Sequence, residues 1–524
     1  MIKRILTVLS FSGFGAFAQC DSVNISNDLI VSSSTLMAGI YVIDGDFVLQ
    51  NGATIYITPY SLNACGVLKI YAKNITILGD IDGDFAGYPG GIGGAGGATV
   101  TSITGHQVAL TSCTDTGNYG VLTVEGGKAG GNGNGPGGGT SGSNGQSGSG
   151  PKQYCGSFGD EGGMVGGAGG AGGGAGGSYG CVAGSGSAGG SGSAQSTLAG
   201  MALSAAYPVV AGTGGNGGVA TMLYGTAEGF DIDLGSGGAG AGGGGRSFGL
   251  GLNGNRGGNG GGMIFLQAEL DLTVSGILSV RGENGQSGGI GGNGDGTTDC
   301  CSDGCNGCDE STFSGGAGGG AGAGGGSGGG IYLETMGTAN LSSDLRSSGG
   351  NGGNSGQQGN GTTCNYTNLF CSDNSITTGN GTAGQAGGAG SGGRIKIFVP
   401  RCEDLINTAS ANSVAGVGFG SAGDGTYEVV CGYASLLENE LLSAIQFYPN
   451  PVGSELYLRF PEELKNQQST ITTSIMDASG RIVFSDNLLT FEQNTIFMGN
   501  FETGYYMIRF ETETSSFHSK LLKL

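Results

Sequence analysis

The stretch from 261 to 289 reads GGMIFLQAELDLTVSGILSVRGENGQSGG, and its order of parts decides the fold. A glycine lead-in precedes an apolar run at Met263–Ala268. A second run follows at Leu270–Val274, a third at Ile277–Arg281, and then the glycines resume. Runs this short, rich in β-branched and aliphatic residues and bounded by Gly, Asp and Ser, are strands separated by tight turns. The same order recurs at 328–353 in GGGIYLETMGTANLSSDLRSSGGNGG, with runs at Ile331–Thr335, Ala339–Leu341 and Asp344–Arg346. Upstream, AGIYVIDGDFVLQNGATIYITPY at 38–60 and GVLKIYAKNITILGDIDGDF at 66–85 show related strands. In the latter a turn at Lys73 and Asn74 splits two strands, and the second ends where the glycines begin. GGRIKIFVP at 392–400 closes the series.

One such unit is too small to bury its own apolar face. The physical solution is stacking, with a continuous column of Ile, Leu and Val along the axis. The expectation is therefore an all-β chain whose main body is a parallel β-helix-like solenoid, with long glycine-rich loops that leave every rung at one point. This rung pattern resembles right-handed parallel β-helix proteins of the pectin-lyase-like kind.

Glycine supplies 123 of 524 residues. The strict Gly-X-Y period and the proline content that collagen requires are both missing. Between 83 and 260, tracts such as GGAGGAGGGAGG carry almost no side chains to pack. Two readings stand. Ordering glycine costs about 1–2 kcal/mol per residue in backbone entropy, which favours disorder. Alternatively, extended chains of the polyproline II shape approach closely and hydrogen-bond laterally. Islands at 108–110, 121–124 and 221–224 would then anchor them.

Lys3 and Arg4 followed by the apolar run 5–18 and the small-x-small sequence Ala16, Phe17, Ala18 read as a cleaved secretory leader. Cys20 follows, but Gln19 occupies the position where a lipoprotein signal needs a small residue. Nothing else approaches the roughly 18 apolar residues of a membrane-spanning helix. The formal net charge of -21 becomes -23 without Lys3 and Arg4, which argues against nucleic acid as a partner. Export makes disulfides the default for the 13 cysteines. Cys364 with Cys371 and Cys402 with Cys431 are local candidates. The cluster Cys300, Cys301, Cys305 and Cys308 suits disulfides better than zinc, because no second well-spaced pair and no nearby histidine completes a metal set.

From about 436 the glycine excess vanishes. Ser454–Phe460 and Thr470–Met476 alternate with period two, and further strands follow at Arg481–Phe484, Tyr505–Glu511 and Phe517–Leu522. About seven short strands in this span predict a small antiparallel, immunoglobulin-like β-sandwich. The organisation is thus 1–18 leader, 19–82 first rungs, 83–260 glycine-rich insert, 261–432 further rungs and 433–524 terminal module. In that module Tyr448, Pro449, Asn450 and Pro451, the turn Asp477, Gly480 and Arg481, the pair Gly504 and Tyr505, and Lys520 near the C-terminus occur in a particular order. This pattern is similar to the type A C-terminal sorting domain of type IX secretion cargo in Bacteroidetes. The resemblance implies passage through that translocon to the cell surface or medium, removal of the module, and attachment to surface lipopolysaccharide. The prolines are expected to stiffen an extended linker entering the first strand.

Asp80, Asp82 and Asp84 alternate at the end of the first rungs and are the candidate calcium ligands. Asp-Gly pairs also terminate strands for turn-forming reasons. If the groove were catalytic on an acidic polysaccharide, Arg281 or Lys69 would be the base. Two histidines in the whole chain argue against triad chemistry and histidine-ligated metals. The G-x-G-x-x-G matches follow from composition and lack the strand, helix and distal acid they require. The sequence thus favours an exported structural or adhesive protein without catalytic machinery. A β-helix polysaccharide lyase or hydrolase is the alternative. An ice- or mineral-binding surface lacks a regular Thr-x-Thr array.

Overall fold

The computed structural model describes residues 20–61, 63–107, 118–155, 160–194, 209–227, 229–294, 312–368, 371–431, 442, 444–461, 465, 470–477, 481–490, 494–512 and 516–524. The leader, the island 108–110, the cysteine cluster 300–308 and Gly480 lie outside the described residues, as do the side chains of Cys364 and Cys371. Two compact units make up the chain, one of solenoid and glycine-rich segments and one containing the C-terminal module.

The first unit is built on three parallel sheets. Their strands succeed one another in chain order, so each rung contributes one strand to each sheet. Rung 3, for example, consists of Val67–Ala72, Ile75–Ile77 and Asp80–Asp82, and rung 4 of Met263–Ala268, Leu272–Val274 and Leu278–Ser279. The two rungs pair in parallel with Leu68 opposite Ile264, Ile75 opposite Leu272 and Ile81 opposite Leu278. Rung 5 continues the stack, with Leu345 opposite Leu278. Ile55, Ile81, Leu278 and Leu345 thus form one fully buried column. Such like-on-like burial of aliphatic residues along the axis is the main apolar driving force of a solenoid.

Two details depart from the sequence reading. The segment after Asn74 forms two strands rather than one, because Leu78 and Gly79 turn a second corner. A Cβ on Gly79 would lie 2.1 Å from the Ala53 carbonyl oxygen, so the corner accepts no side chain. The rungs expected over 19–82 also begin with a complete one whose strands were not singled out in the sequence, formed by Ser22–Ile25, Leu29–Val31 and Thr35–Met37. Its strands are largely exposed on their outer residues and carry Ser and Asn, which masked the period. The first corner is laced by polar side chains. Asp28 Oδ1 accepts from the Asp46 amide at 2.9 Å, Asp46 Oδ1 from Asn74 Nδ2 at 2.8 Å, and Asn74 Oδ1 from the Asp271 amide at 3.1 Å. Cys20, whose place after the leader raised the question of a lipid anchor, is paired with Cys65. Cys402 and Cys431 are also paired, as their local spacing suggested.

The glycine tracts are ordered wherever they are described. They form extended segments whose amides donate outward, in succession, to surrounding segments. Along 167–173 the donations go to Ser193, Arg246, Gln146, Gly190, Gly243, Ser143 and Ser187. Every third residue returns to the same neighbour, three residues further along it: 193, 190 and 187 on one side, 146 and 143 on another. A threefold screw of this kind is the polyproline II conformation. Here it is packed into a bundle in which neighbouring backbones supply the hydrogen bonds that the isolated helix lacks.

This arrangement demands glycine for a steric reason. A Cβ on Gly170 would sit 2.1 Å from the Gly319 oxygen, on Gly320 2.0 Å from Gly242, and on Gly324 1.9 Å from Ala175. Alanine is accommodated at the fully buried Ala168, Ala171, Ala175, Ala321 and Ala323. At the margins, asparagine replaces the missing backbone acceptor. Asn259 Oδ1 accepts from Gly90 N, Asn253 from Gly96 N, Asn284 from Asn351 N and Asn293 from Asn360 N, all within 2.8–3.0 Å. Each amide paired in this way contributes about 1 kcal/mol net. That offsets part of the entropic cost, and close dispersion contacts add to it.

The island 121–124 belongs to a strand, Asn118–Val124, in a separate five-stranded sheet. Leu122 and Val124 bury against Ala168 and Phe248 of the bundle. Gly324→Ala is expected to destabilise the first unit by about 3 kcal/mol, whereas Ala323→Gly on the same segment costs about 1 kcal/mol. Denaturant unfolding of the full chain measures both. Equal costs would refute the close-approach argument.

Candidate functional site

The C-terminal module is two antiparallel sheets, Gln446–Tyr448, Glu455–Arg459 and Asn494–Phe497 in one, and Thr470–Met476, Ile482–Leu489, Gly504–Glu511 and Ser516–Lys523 in the other. One core of Val452, Leu456, Leu458, Phe460, Ile471, Ile475, Ile496, Ile508, Phe510 and Leu521, among others, lies between them. The alternation of the strands places these residues on the inner face.

Tyr448, Pro449, Asn450 and Pro451 do not form a linker entering the first strand. Tyr448 ends a strand whose antiparallel partner is Glu455–Arg459, with Tyr448 opposite Tyr457, so Pro449, Asn450 and Pro451 make the hairpin connection. A proline-rich connection needs no ladder amides at those positions, which is why the turn tolerates it. Asn450 then joins the motif to the C-terminal strand: its Nδ2 donates to the Lys520 carbonyl at 3.0 Å and its Oδ1 accepts from Leu522 N at 3.0 Å. Val452 N donates to the Leu522 carbonyl at 2.7 Å, and Leu524 N to Val452 at 3.0 Å. Motif residues 70 positions apart thus meet at one edge. Asp477 closes its own turn through Arg481, accepting from the Arg481 amide at 3.1 Å and from its Nε at 3.0 Å. The Tyr505 side chain is exposed, and a Cβ at Gly504 would meet open space.

In the first unit, Asp80 and Asp84 are drawn into holding the next rung, and Asp82 closes the turn to Asp84. Asp80 Oδ1 accepts from Ile277 N at 2.8 Å, and Asp82 Oδ1 from Asp84 N at 3.0 Å. Asp84 accepts from Ser279 Oγ at 2.6 Å and Arg281 N at 2.7 Å, and pairs with the Arg281 guanidinium at 2.6 Å. That pairing raises the Arg281 pKa, while burial raises that of Asp82. Among the described residues, no group of three acidic, histidine or cysteine side chains is placed to hold a metal ion. Lys69 is not near this row: it projects from the first sheet, 5.2 Å from the centre of the Phe265 ring, and burial lowers its pKa.

A cluster that sequence reasoning missed lies on that first sheet. Arg394 and Lys396 in RIKIFV project from the last complete rung and are almost fully buried beneath the segment 221–234. Lys396 Nζ donates to the carbonyls of Gly229 at 2.7 Å and Asp231 at 2.6 Å, and to Asp231 Oδ1 at 3.2 Å. Arg394 donates to the Tyr224 and Gly225 carbonyls at 3.2 Å and lies 5.5 Å from the Tyr179 ring centre. Burial lowers the Lys396 pKa and raises that of Asp233. The signal was present as two basic residues alternating with isoleucines, but the acceptors lie about 165 positions upstream. Their chemistry is that of a clamp holding the excursion on the solenoid.

Two substitutions check these assignments. Asn450→Ala, which removes both bonds to the last strand, should destabilise the C-terminal unit by about 1–2 kcal/mol. Lys396→Met should expose 221–234 to limited proteolysis while leaving the module's own unfolding unchanged. Melting and cleavage of the full chain read the two effects separately.

No curated protein and no solved structure matches the chain. No helix among the described residues is long and apolar enough to cross a membrane. Residues 446–523 match the family model described as the secretion system C-terminal sorting domain. The matched span holds the hairpin of Tyr448–Pro451, its asparagine tie and the Asp477–Arg481 turn, so the geometry and the match coincide. The chain carries the sorting domain of type IX secretion cargo, and is exported to the cell surface or released.

Proposed function

We propose that this is a non-catalytic structural or adhesive protein of the outer surface, in which a pectin-lyase-like solenoid and its glycine bundle are the cargo and an immunoglobulin-like module is the address. The observation that carries the reading is the sorting domain attached to a body in which Asp84, Arg281 and Lys396 hold rungs and excursions together. Under this reading the module engages the type IX translocon and is removed, and the body becomes attached to surface lipopolysaccharide or contacts extracellular polysaccharide. The carboxylates that would bind calcium and the cations that would act as bases are engaged structurally: Asp84 holds Arg281, and Lys69 lies against Phe265. A lyase or hydrolase on the same scaffold is the reading this one displaces.

Truncation before residue 433, in a host with a working type IX system, should leave the body in the periplasm, whereas the full chain reaches the surface. Equal surface delivery without the module would overturn the export reading. Purified chain incubated with acidic polysaccharides and Ca²⁺ should form no unsaturated product; sustained turnover would overturn the non-catalytic reading.

A further inference from the structure

We infer that Asn51 is a modification site, at which the chain converts itself to aspartate and isoaspartate, while the asparagines of the bundle are withheld from the same reaction. The step needs no partner but water. The Gly52 backbone nitrogen attacks Asn51 Cγ and gives up its proton to solvent, the carboxamide nitrogen leaves as ammonia, and water opens the resulting cyclic imide at either carbonyl. One opening gives aspartate. The other gives isoaspartate, whose main chain runs through Cβ and Cγ. Two conditions favour the attack: a following residue with no side chain in the way, and an amide and a carboxamide free to approach each other.

Asparagine precedes glycine repeatedly in this chain, and the fold separates those pairs into two kinds. Asn51 and Gly52 form the corner between Phe47–Leu49 and Thr54–Ile57, in a turn closed by the Ala53 amide on the Gln50 carbonyl at 3.2 Å. Gly52 takes φ 81°, which glycine adopts without strain. Both residues are exposed, and apart from chain neighbours no heavy atom lies within 4 Å of the place a Gly52 Cβ would occupy. Among the described residues nothing accepts from the Gly52 amide and nothing holds the Asn51 carboxamide. Rotation about the Asn51 Cα–C bond into the attacking geometry therefore opposes only the single closing bond.

In the bundle both reacting groups are engaged. The amides of Gly254, Gly285, Gly294 and Gly352 donate to the carbonyls of Gly94, Asn351, Asn360 and Val417 at 2.7–2.8 Å. The preceding side chains are held as well: Asn253, Asn284, Asn293 and Asn351 each accept through Oδ1 from a backbone amide at 2.8–2.9 Å. Attack there must first open bonds at both ends, and each bond slows it by up to about tenfold. Gly135 and Gly217 also follow asparagine and donate to nothing among the described residues, but their asparagines are tied. Asn134 Nδ2 donates to the Pro89 carbonyl at 3.0 Å, and Asn216 is pinned to Ser143, its amide donating to Oγ and its carbonyl accepting from the Ser143 amide, both at 2.8 Å. Conversion at Asn51 adds a negative charge, and the isoaspartate form lengthens the corner by one main-chain atom, for which the open space beside Gly52 leaves room.

Neither export nor adhesion enters this reaction, so its test is separate from theirs. Full mature chain is held in mildly alkaline buffer, then denatured, digested and mapped by mass spectrometry, with aspartate and isoaspartate peptides resolved by chromatography. Asn51 should convert at least about tenfold faster than Asn253, Asn284, Asn293 and Asn351. In guanidinium sufficient to unfold the chain the five rates should converge, because each asparagine then has only its following glycine to set the rate. Asn51→Gln, whose longer side chain closes the ring far more slowly, should remove the early acidic product and leave the unfolding temperature unchanged. The inference is overturned if Asn51 persists in the folded chain while the unfolded chain reacts, if any of the four bundle asparagines keeps pace with it, if the difference survives unfolding, or if Asn51→Gln yields the same early acidic product.

Discussion

The contact on which the first unit depends is a backbone amide donating to the carbonyl of a neighbouring extended segment at a separation that leaves no room for Cβ. At Gly170, Gly320 and Gly324 a methyl would overlap a carbonyl oxygen at about 2 Å. Removing the side chain makes the approach feasible, and the approach in turn satisfies the polar groups that a buried loop would otherwise leave unpaired. Apolar burial, the usual organiser of a domain, is here concentrated in the solenoid interior, where aliphatic columns such as Ile55, Ile81, Leu278 and Leu345 do the ordinary work. The two forms of cohesion meet at a fixed place, because each excursion leaves after a third-sheet strand and returns before a first-sheet strand. Register in the solenoid therefore sets register in the bundle.

How much of this was legible depends on whether the information resides in side chains. Rungs 3 to 5 were legible because aliphatic alternation and glycine punctuation mark them; Met263–Ala268 has the predicted bounds. The corner at Gly79 was not, because a two-residue turn inside an apolar run leaves little trace. The order of the bundle was weighed against disorder without a decision, since composition reports the entropic cost of glycine and is silent on where its amides donate. The informative signal was spacing: asparagine and glutamine recurring at threes within glycine, as at Asn351, Asn354, Gln357 and Asn360, is the screw written in sequence. The basic clamp was illegible for a different reason. Arg394 and Lys396 look like solvent-facing positions of a strand, and only the fold brings Asp231 over them.

The C-terminal module divides in the same way. Its strands follow the period-two pattern, and its motif was recognisable by residue type and order. What the motif does locally was misread, because Pro449 and Pro451 suit a stiff linker as well as a hairpin connection. The distinction rests on Asn450, whose side chain reaches the last strand. A residue that reads as punctuation is thus the tie between the first and final strands of the module.

The bundle's composition has one more consequence. Extracellular proteases select their substrates by seating a large or charged side chain in a specificity pocket, and they bind the flanking chain as an extended strand through its free amides and carbonyls. Segments such as 166–177 offer only hydrogen and methyl where the pocket needs a handle, and their amides are already committed to neighbours. A body made this way resists digestion through a shortage of recognisable features rather than through rigidity alone, a useful property for a protein stationed outside the cell.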